Sequence, residues 1–129
     1  MLKIVLDMQN ELYAEAVKKA LLESGLGFVV FTSEKPEETV SLCHTCRANV
    51  LLMEIGQSKT RNLSERLKML DGLKSKSSGQ NCKTIFLVDE KADDALAADV
   101  RQAVKDKLVD NFVYTSVSAS YLAGVIDTL

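Results

Sequence analysis

Asn49-Val50-Leu51-Leu52-Met53-Glu54-Ile55 decides the fold: an apolar run of four residues meets one acidic side chain, and turn-prone Gly56-Gln57-Ser58 follows. A short apolar run closed by turn residues reads as a strand buried on both faces, as in a parallel sheet. The Glu54 carboxylate then emerges at the carboxyl end of a central strand. Open α/β sheets place their binding crevices there. The function of the chain turns on whether that carboxylate still does chemistry.

Upstream, Leu2 to Leu6 is a β-branched-rich strand ending at Asp7, and Asn10 caps a helix over Glu11 to Glu23. A period near 3.6 puts Leu12 or Tyr13, Ala16, Val17, Ala20 and Leu21 on its core face. Ser24-Gly25 stops it, with Gly25 as the left-handed cap. Phe28-Val29-Val30-Phe31 is the second strand. Pro36 opens a second helix that runs to about Arg47, with Glu37 and Glu38 well placed against its dipole.

Downstream, Leu63, Leu67, Leu70 and Leu73 form the stripe of a third helix over Arg61 to Leu73. Lys74 to Gln80 is a polar Ser/Lys-rich loop, too short and too poor in aromatics to bind nucleic acid. Thr84 to Val88 is a fourth buried strand. Leu96, Val100, Ala103 or Val104, and Leu108 mark a fourth helix, which begins after Asp93-Asp94. Asn111 to Tyr114 is a fifth strand, and Ser118 caps a last helix carrying Tyr121, Leu122, Val125 and Ile126 inward. Strand and helix thus alternate five times, which demands a parallel sheet with right-handed crossovers and helices on both faces. The expected architecture is a doubly wound flavodoxin-like sheet in strand order 2-1-3-4-5, over one domain spanning residues 1–129. The alternative is another small α/β sandwich.

Bulk properties narrow the function classes. With 129 residues, 47% of them hydrophobic and 26% charged, the chain can bury a layered core and is not disordered. A net charge of -2 gives no electrostatic reason to expect nucleic-acid binding. No apolar run approaches a membrane span, and no signal peptide precedes the first strand. Three cysteines, an odd number, do not suggest a disulfide framework, so the expected compartment is the cytoplasm.

Lys3-Ile4-Val5-Leu6-Asp7, the run Ala48 to Ile55, and Asn111-Phe112-Val113-Tyr114 leading into Val117-Ser118 together resemble the receiver (CheY-like) domain of two-component response regulators. The resemblance covers essentially the whole chain. In that family an Asp ending strand three accepts a phosphoryl group from a histidine kinase. Two acidic residues after strand one hold Mg²⁺, a Thr or Ser ends strand four, and a Lys ends strand five. Metal and Lys neutralise the charge on the transferring group.

Position by position, the chain departs from that set. Asp7 matches the first acidic position, but Met8 stands at the second, and a thioether is a poor ligand for Mg²⁺. Glu54 stands at the phosphoacceptor position. Val88 falls at the hydroxyl position, or Asp89 if the register slips. Thr115 replaces the Lys and Ser116 its neighbouring Pro, which leaves the crevice without a fixed positive charge. Phe112 matches the switch aromatic. The expected site is therefore a degenerate phosphoacceptor pocket of Asp7, Met8, Glu54, Val88 and Thr115. A weak Mg²⁺ shared by Asp7 and Glu54 is weighed against carboxylates that are solvated or bonded to nearby backbone. Without the sensing Lys and hydroxyl, Glu54 fits a one-state scaffold better than a permanent mimic of phospho-Asp.

Cys43-His44-Thr45-Cys46 is a C-x-x-C motif in the last turns of a helix, where the dipole opposes thiol activation. A zinc site recruiting Cys82 and His44 lacks a second spaced pair, so Cys43 is expected in the core with Cys46 partly buried. The resemblance implies a partner or homodimer face along helix 4, strand 5 and helix 5, with Phe112, Tyr114 and Tyr121 as its expected residues; the plainer reading of the same residues puts Phe112 and Tyr121 in the core and Tyr114 on its rim.

These readings converge on a non-enzymatic, phosphorylation-independent interaction domain whose partner is a signalling protein, an output domain or a second copy. The chain reads as a candidate N-terminal piece of a longer regulator, such as a transcription factor or a pilus-assembly-type ATPase. A phosphoacceptor receiver with an unusual Mg²⁺-dependent site is the alternative. A flavodoxin-like enzyme or nucleotide binder is disfavoured, because no Gly-rich loop follows strand one.

Overall fold

Strand and helix alternate from one end of the computed structural model to the other; it describes residues 2–56, 62–76, 82–89, 94–115 and 118–128. The strands are β1 (Lys3–Asp7), β2 (Val29–Thr32), β3 (Val50–Ile55), β4 (Lys83–Val88) and β5 (Asn111–Tyr114). They form one parallel sheet in the order β2-β1-β3-β4-β5. The helices are α1 (Glu11–Leu22), α2 (Thr39–Cys46), α3 (Leu63–Lys76), α4 (Asp94–Lys105) and α5 (Ala119–Asp127).

Local chemistry sets the helix ends. The Asn10 side chain accepts from Tyr13 N at 3.1 Å to start α1, and Ser118 Oγ accepts from Tyr121 N at 3.1 Å to start α5. Pro36 opens a 3₁₀ turn, Pro36–Glu38, whose missing N–H costs nothing at that position. Arg47 stops α2 in the left-handed region at φ 57°. Gly25, at φ +79°, makes the turn after α1, where a side chain would be strained.

Alternation along the strands divides the core into two layers. Ile4, Leu6, Met8, Val50 and Leu52 pack with Ala14, Val17 and Leu21 of α1 and with Leu122, Ala123 and Ile126 of α5. Val5, Leu51, Met53 and Ile55 pack on the other face with Cys43 of α2, Leu70 and Leu73 of α3, and Val100 and Ala103 of α4. Among the described residues no helix is long and apolar enough to cross a membrane.

The expected architecture is the observed one, with shifts that have physical causes. In α1 the buried positions are Ala14, Val17 and Leu21, while Leu12 is 84% exposed and Ala16 is exposed. Apolar residues run around most of this helix, so their period alone does not choose the face. Tyr121 points outward at 58% exposure instead of into the core, because Leu122, Ala123 and Ile126 already fill the α5 interface. Leu108 lies beyond the end of α4 and is exposed. The second strand starts one residue later than expected. Lys74 to Lys76 continue α3, and the rest of the expected Lys74–Gln80 loop lies outside the described residues.

Candidate functional site

At the carboxyl end of the sheet, the pleat sends Asp7 and Glu54 to opposite faces. Asp7 pairs in register with Met53 and shares the α2–α3 side with it. Glu54, one residue further along β3, follows Leu52 towards α1. The pair expected to share a weak Mg²⁺ is not brought together.

Asp7 is fully buried, and its counter-ion is Arg66 from the first turns of α3, also 0% exposed. Arg66 Nη1 donates to Asp7 Oδ2 at 2.6 Å and Nη2 donates to Asp7 Oδ1 at 3.1 Å, a two-pronged pairing that the planar guanidinium fork allows and an ammonium does not. Nε and Nη2 also donate to the Glu54 carbonyl at 3.1 and 2.9 Å, and Nη1 lies 3.7 Å from Met69 Sδ. Each guanidinium nitrogen is therefore supplied with acceptors, which is the condition for burying such a charge.

The carboxylate has a second donor. Thr39, buried in the first turn of α2, gives its hydroxyl proton to Asp7 Oδ2 at 2.6 Å. Thr39 Oγ1 in turn lies 2.8 Å from Ser33 Oγ, and Ser33 donates to the Lys35 carbonyl at 2.9 Å. The segment after β2, the start of α2, the end of β1 and α3 are thus joined through one buried polar chain.

Glu54 has a different setting. It is half-buried, and its Oε1 accepts from the Gln9 amide at 2.7 Å, a bond to nearby backbone. Tyr13 of α1 lies on the same side and donates its hydroxyl to the Thr115 carbonyl at 3.0 Å. Burial first, and the Glu54 charge second, push the Tyr13 pKa above the ordinary tyrosine value.

Met8 is buried in the α1/α5 layer. Val88 packs in the opposite layer, and the alternative Asp89 is exposed past the end of β4. Thr115 uses its backbone, donating N–H to the Val88 carbonyl at 2.9 Å and accepting from Tyr13. Phe112 and Tyr114 are half-buried on the α4 side and meet edge to face, with ring centroids 5.7 Å apart. Cys43 is buried and Cys46 half-buried, as the sequence suggests. No three His, Cys, Asp or Glu side chains among the described residues gather into a metal-binding set. A cleft of about 350 Å³ beside the crevice, between α1 and the end of β2, presents Glu11, Glu15 and Glu34 against one cation, Lys18. That balance disfavours a phosphate-bearing ligand.

Three residues of this site escape the sequence reading: Arg66, Thr39 and Ser33. The expectation that the crevice lacks a fixed positive charge is corrected, because Arg66 supplies one from α3 instead of from the end of β5. A signal existed. Leu63, Arg66, Leu70 and Leu73 keep helical spacing as well as the all-leucine stripe does, and Arg66 occupies a core position in it.

Mg²⁺ does not fit this arrangement. Both Asp7 oxygens are taken, Met8 is a soft ligand buried in the other layer, and Glu54 faces away.

No protein-family model matches the sequence, and no curated protein matches it significantly. Solved structures do match in fold. A LuxR-family DNA-binding response regulator from Staphylococcus aureus superposes with TM-score 0.77 at 17% identity, over 99% of this chain and 98% of its own. The chemotaxis protein CheY4 of Vibrio cholerae gives TM-score 0.78 at 12% identity, covering 99% of this chain and 98% of its own. A CheY-like protein, TadZ, from Pseudomonas aeruginosa gives 0.68 at 20% identity, over 99% of this chain and 92% of its own. With its five parallel strands in the order β2-β1-β3-β4-β5, the chain has the CheY-like receiver fold of response regulators.

Proposed function

We propose that this chain is a receiver-like module of two-component signalling that works without phosphorylation, as a protein-interaction or dimerisation domain and not as an enzyme. The observation that carries this reading is the buried Asp7–Arg66 pair. In the family the chain resembles, the acidic residues after strand one hold a divalent ion. Here the one that remains is neutralised by a cation belonging to the fold itself. Admitting Mg²⁺ means expelling Arg66 from its only carboxylate among the described residues, and breaking a buried pair costs about 3–5 kcal/mol. A weakly held ion does not repay that.

Glu54 keeps acidity at the acceptor position, but its carboxylate is bonded to the Gln9 amide, and Thr115 stands where the family's lysine would report on it. Such a site has one state. The function then rests on surfaces, and the α4–β5–α5 face is the proposed one. Tyr121 and Leu108 are exposed apolar residues on or beside these elements, and Phe112 and Tyr114 lie half-buried between them. A homodimer through this face, in the cytoplasm, is the specific form proposed.

The test is intact mass and thermal melting with Mg²⁺, with and without acetyl phosphate or beryllofluoride. The expected result is an unchanged mass and an unchanged melting temperature. A gain of one phosphoryl group, or a ligand-dependent rise in melting temperature, overturns the reading and makes the chain a phosphoacceptor. Sedimentation of the wild type against Tyr121→Glu tests the dimer face: a dimer lost in the variant supports it, and a monomeric wild type removes it.

A further inference from the structure

α1 turns a mixed face to solvent. Leu12, then Glu15 and Ala16, then Lys19, then Leu22 and Glu23 recur at helical spacings of three and four, so they form one stripe. All are exposed, Leu12 at 84% and Leu22 at 52%, while the inward side of the helix is filled by Ala14, Val17 and Leu21. A single exposed leucine needs no explanation. Two leucines at opposite ends of one stripe, with an acid and a base between them, form a pattern.

That pattern is self-complementary. Glu15 and Lys19 lie two residues to either side of Val17, and Leu12 and Leu22 lie five residues to either side. A second α1, turned end for end about that level, sets Leu12 of each helix against Leu22 of the other and Glu15 against Lys19. Ala16, small and exposed, sits beside the axis and lets the helices approach. Neither Glu15 nor Lys19 forms an ion pair among the described residues, so both charges can serve a partner. A shallow groove of about 320 Å³, lined by Glu15, Lys18, Lys19, Leu22 and Glu23, lies where the incoming Leu12 arrives. The like charges of Glu11 and Glu23 meet only at the exposed rim, where water and salt screen them.

We propose that α1 is a further self-association face, pairing antiparallel with α1 of another copy through Leu12, Glu15, Lys19 and Leu22. It shares no residue with the α4–β5–α5 surface and does not depend on it. One helix pair buries less area than a standard dimer, so this contact is weak alone. Its effect is to link dimers joined through the other face into larger assemblies.

The experiment is sedimentation equilibrium of the full chain carrying Tyr121→Glu, which disables the other face, over a wide concentration series at low salt. A dimer is expected to grow in with concentration and to recede as salt is added. Adding Glu15→Lys alone, or Lys19→Glu alone, sets like charges at both symmetric contacts and should weaken association by roughly tenfold. An equal mixture of those two variants should recover it, because every contact in the mixed dimer again joins opposite charges. Leu12→Glu should abolish it. All of these positions are exposed, and an unchanged thermal melt confirms that each variant folds. A Tyr121→Glu chain that stays monomeric throughout, association that Leu12→Glu leaves unchanged, or a mixture no better than its components overturns the proposal. A wild-type dimer that survives Tyr121→Glu but is lost in Leu12→Glu supports the α1 face and removes the α4–β5–α5 one.

Discussion

Asp7 and Glu54 end adjacent strands at the same edge of one sheet, yet they live in opposite physical worlds. Asp7 has no solvent exposure, one guanidinium and one hydroxyl on its oxygens, and three separate elements depending on it. Glu54 is half-buried, holds one backbone amide and leans towards Tyr13. Strand alternation makes the difference, because successive side chains face opposite layers. A pair of carboxylates close together in the sheet is therefore no guarantee of a shared site. One has become part of the core, and the other remains a rim group with little to hold.

The largest expected effect tests the core half of that comparison. Arg66→Ala leaves the Asp7 carboxylate buried without its counter-ion and should cost about 3–5 kcal/mol in urea unfolding. Arg66→Lys should recover only part, since an ammonium cannot satisfy Asp7 and the Glu54 carbonyl with the same fork. The paired replacement Asp7→Leu with Arg66→Met should be far less harmful than Arg66→Ala, because it removes both charges at once. If Arg66→Ala unfolds at the wild-type urea concentration, the ion pair does not organise this end of the sheet, and the argument against Mg²⁺ falls with it.

Thr39→Val comes next. It keeps the shape of the side chain but removes the donor to Asp7 Oδ2 and breaks the link to Ser33. A buried hydrogen bond to a charged group is worth about 1.5–3 kcal/mol, so the loss should be clear but smaller than that of the guanidinium. Equal losses for Thr39→Val and Arg66→Ala would mean that the network fails as a unit whichever member is removed, and the ranking of its members would have no meaning.

The fold was legible because apolar runs and helical stripes repeat in the order that only a doubly wound sheet satisfies. Val50 to Met53 fixed the central strand, and Asn111 to Tyr114 fell where expected. The charged half of the site was not legible. Arg66 sits beside Leu67, and a stripe drawn through the leucine passes over it, since arginine is rarely a core residue. Its partner is fifty-nine positions away. Only the folded register reveals that Asp7 needs it. The outward turn of Leu12 and Tyr121 was hidden for a simpler reason: each lies in a helix with more apolar residues than one face can bury.

The smallest effect tests the rim half. Glu54→Gln removes one charge from a half-exposed side chain and can keep a bond to the Gln9 amide, so stability should change by less than about 1 kcal/mol. Its signature lies elsewhere. The Glu54 charge is the second cause, after burial, of the raised Tyr13 pKa. Removing it should lower that pKa while leaving it above the ordinary tyrosine value, because the burial remains. Tyrosinate absorbance against pH, read in a background where Tyr114 and Tyr121 are phenylalanine, isolates the Tyr13 hydroxyl. The raised value also fixes the sign of its stability contribution: present in full below the unfolded pKa of 10.0, and lost as pH climbs through the higher folded one. A Tyr13 titration that does not move in Glu54→Gln would mean the carboxylate is not on the α1 side, and the separation of the two acidic groups by the pleat would be wrong.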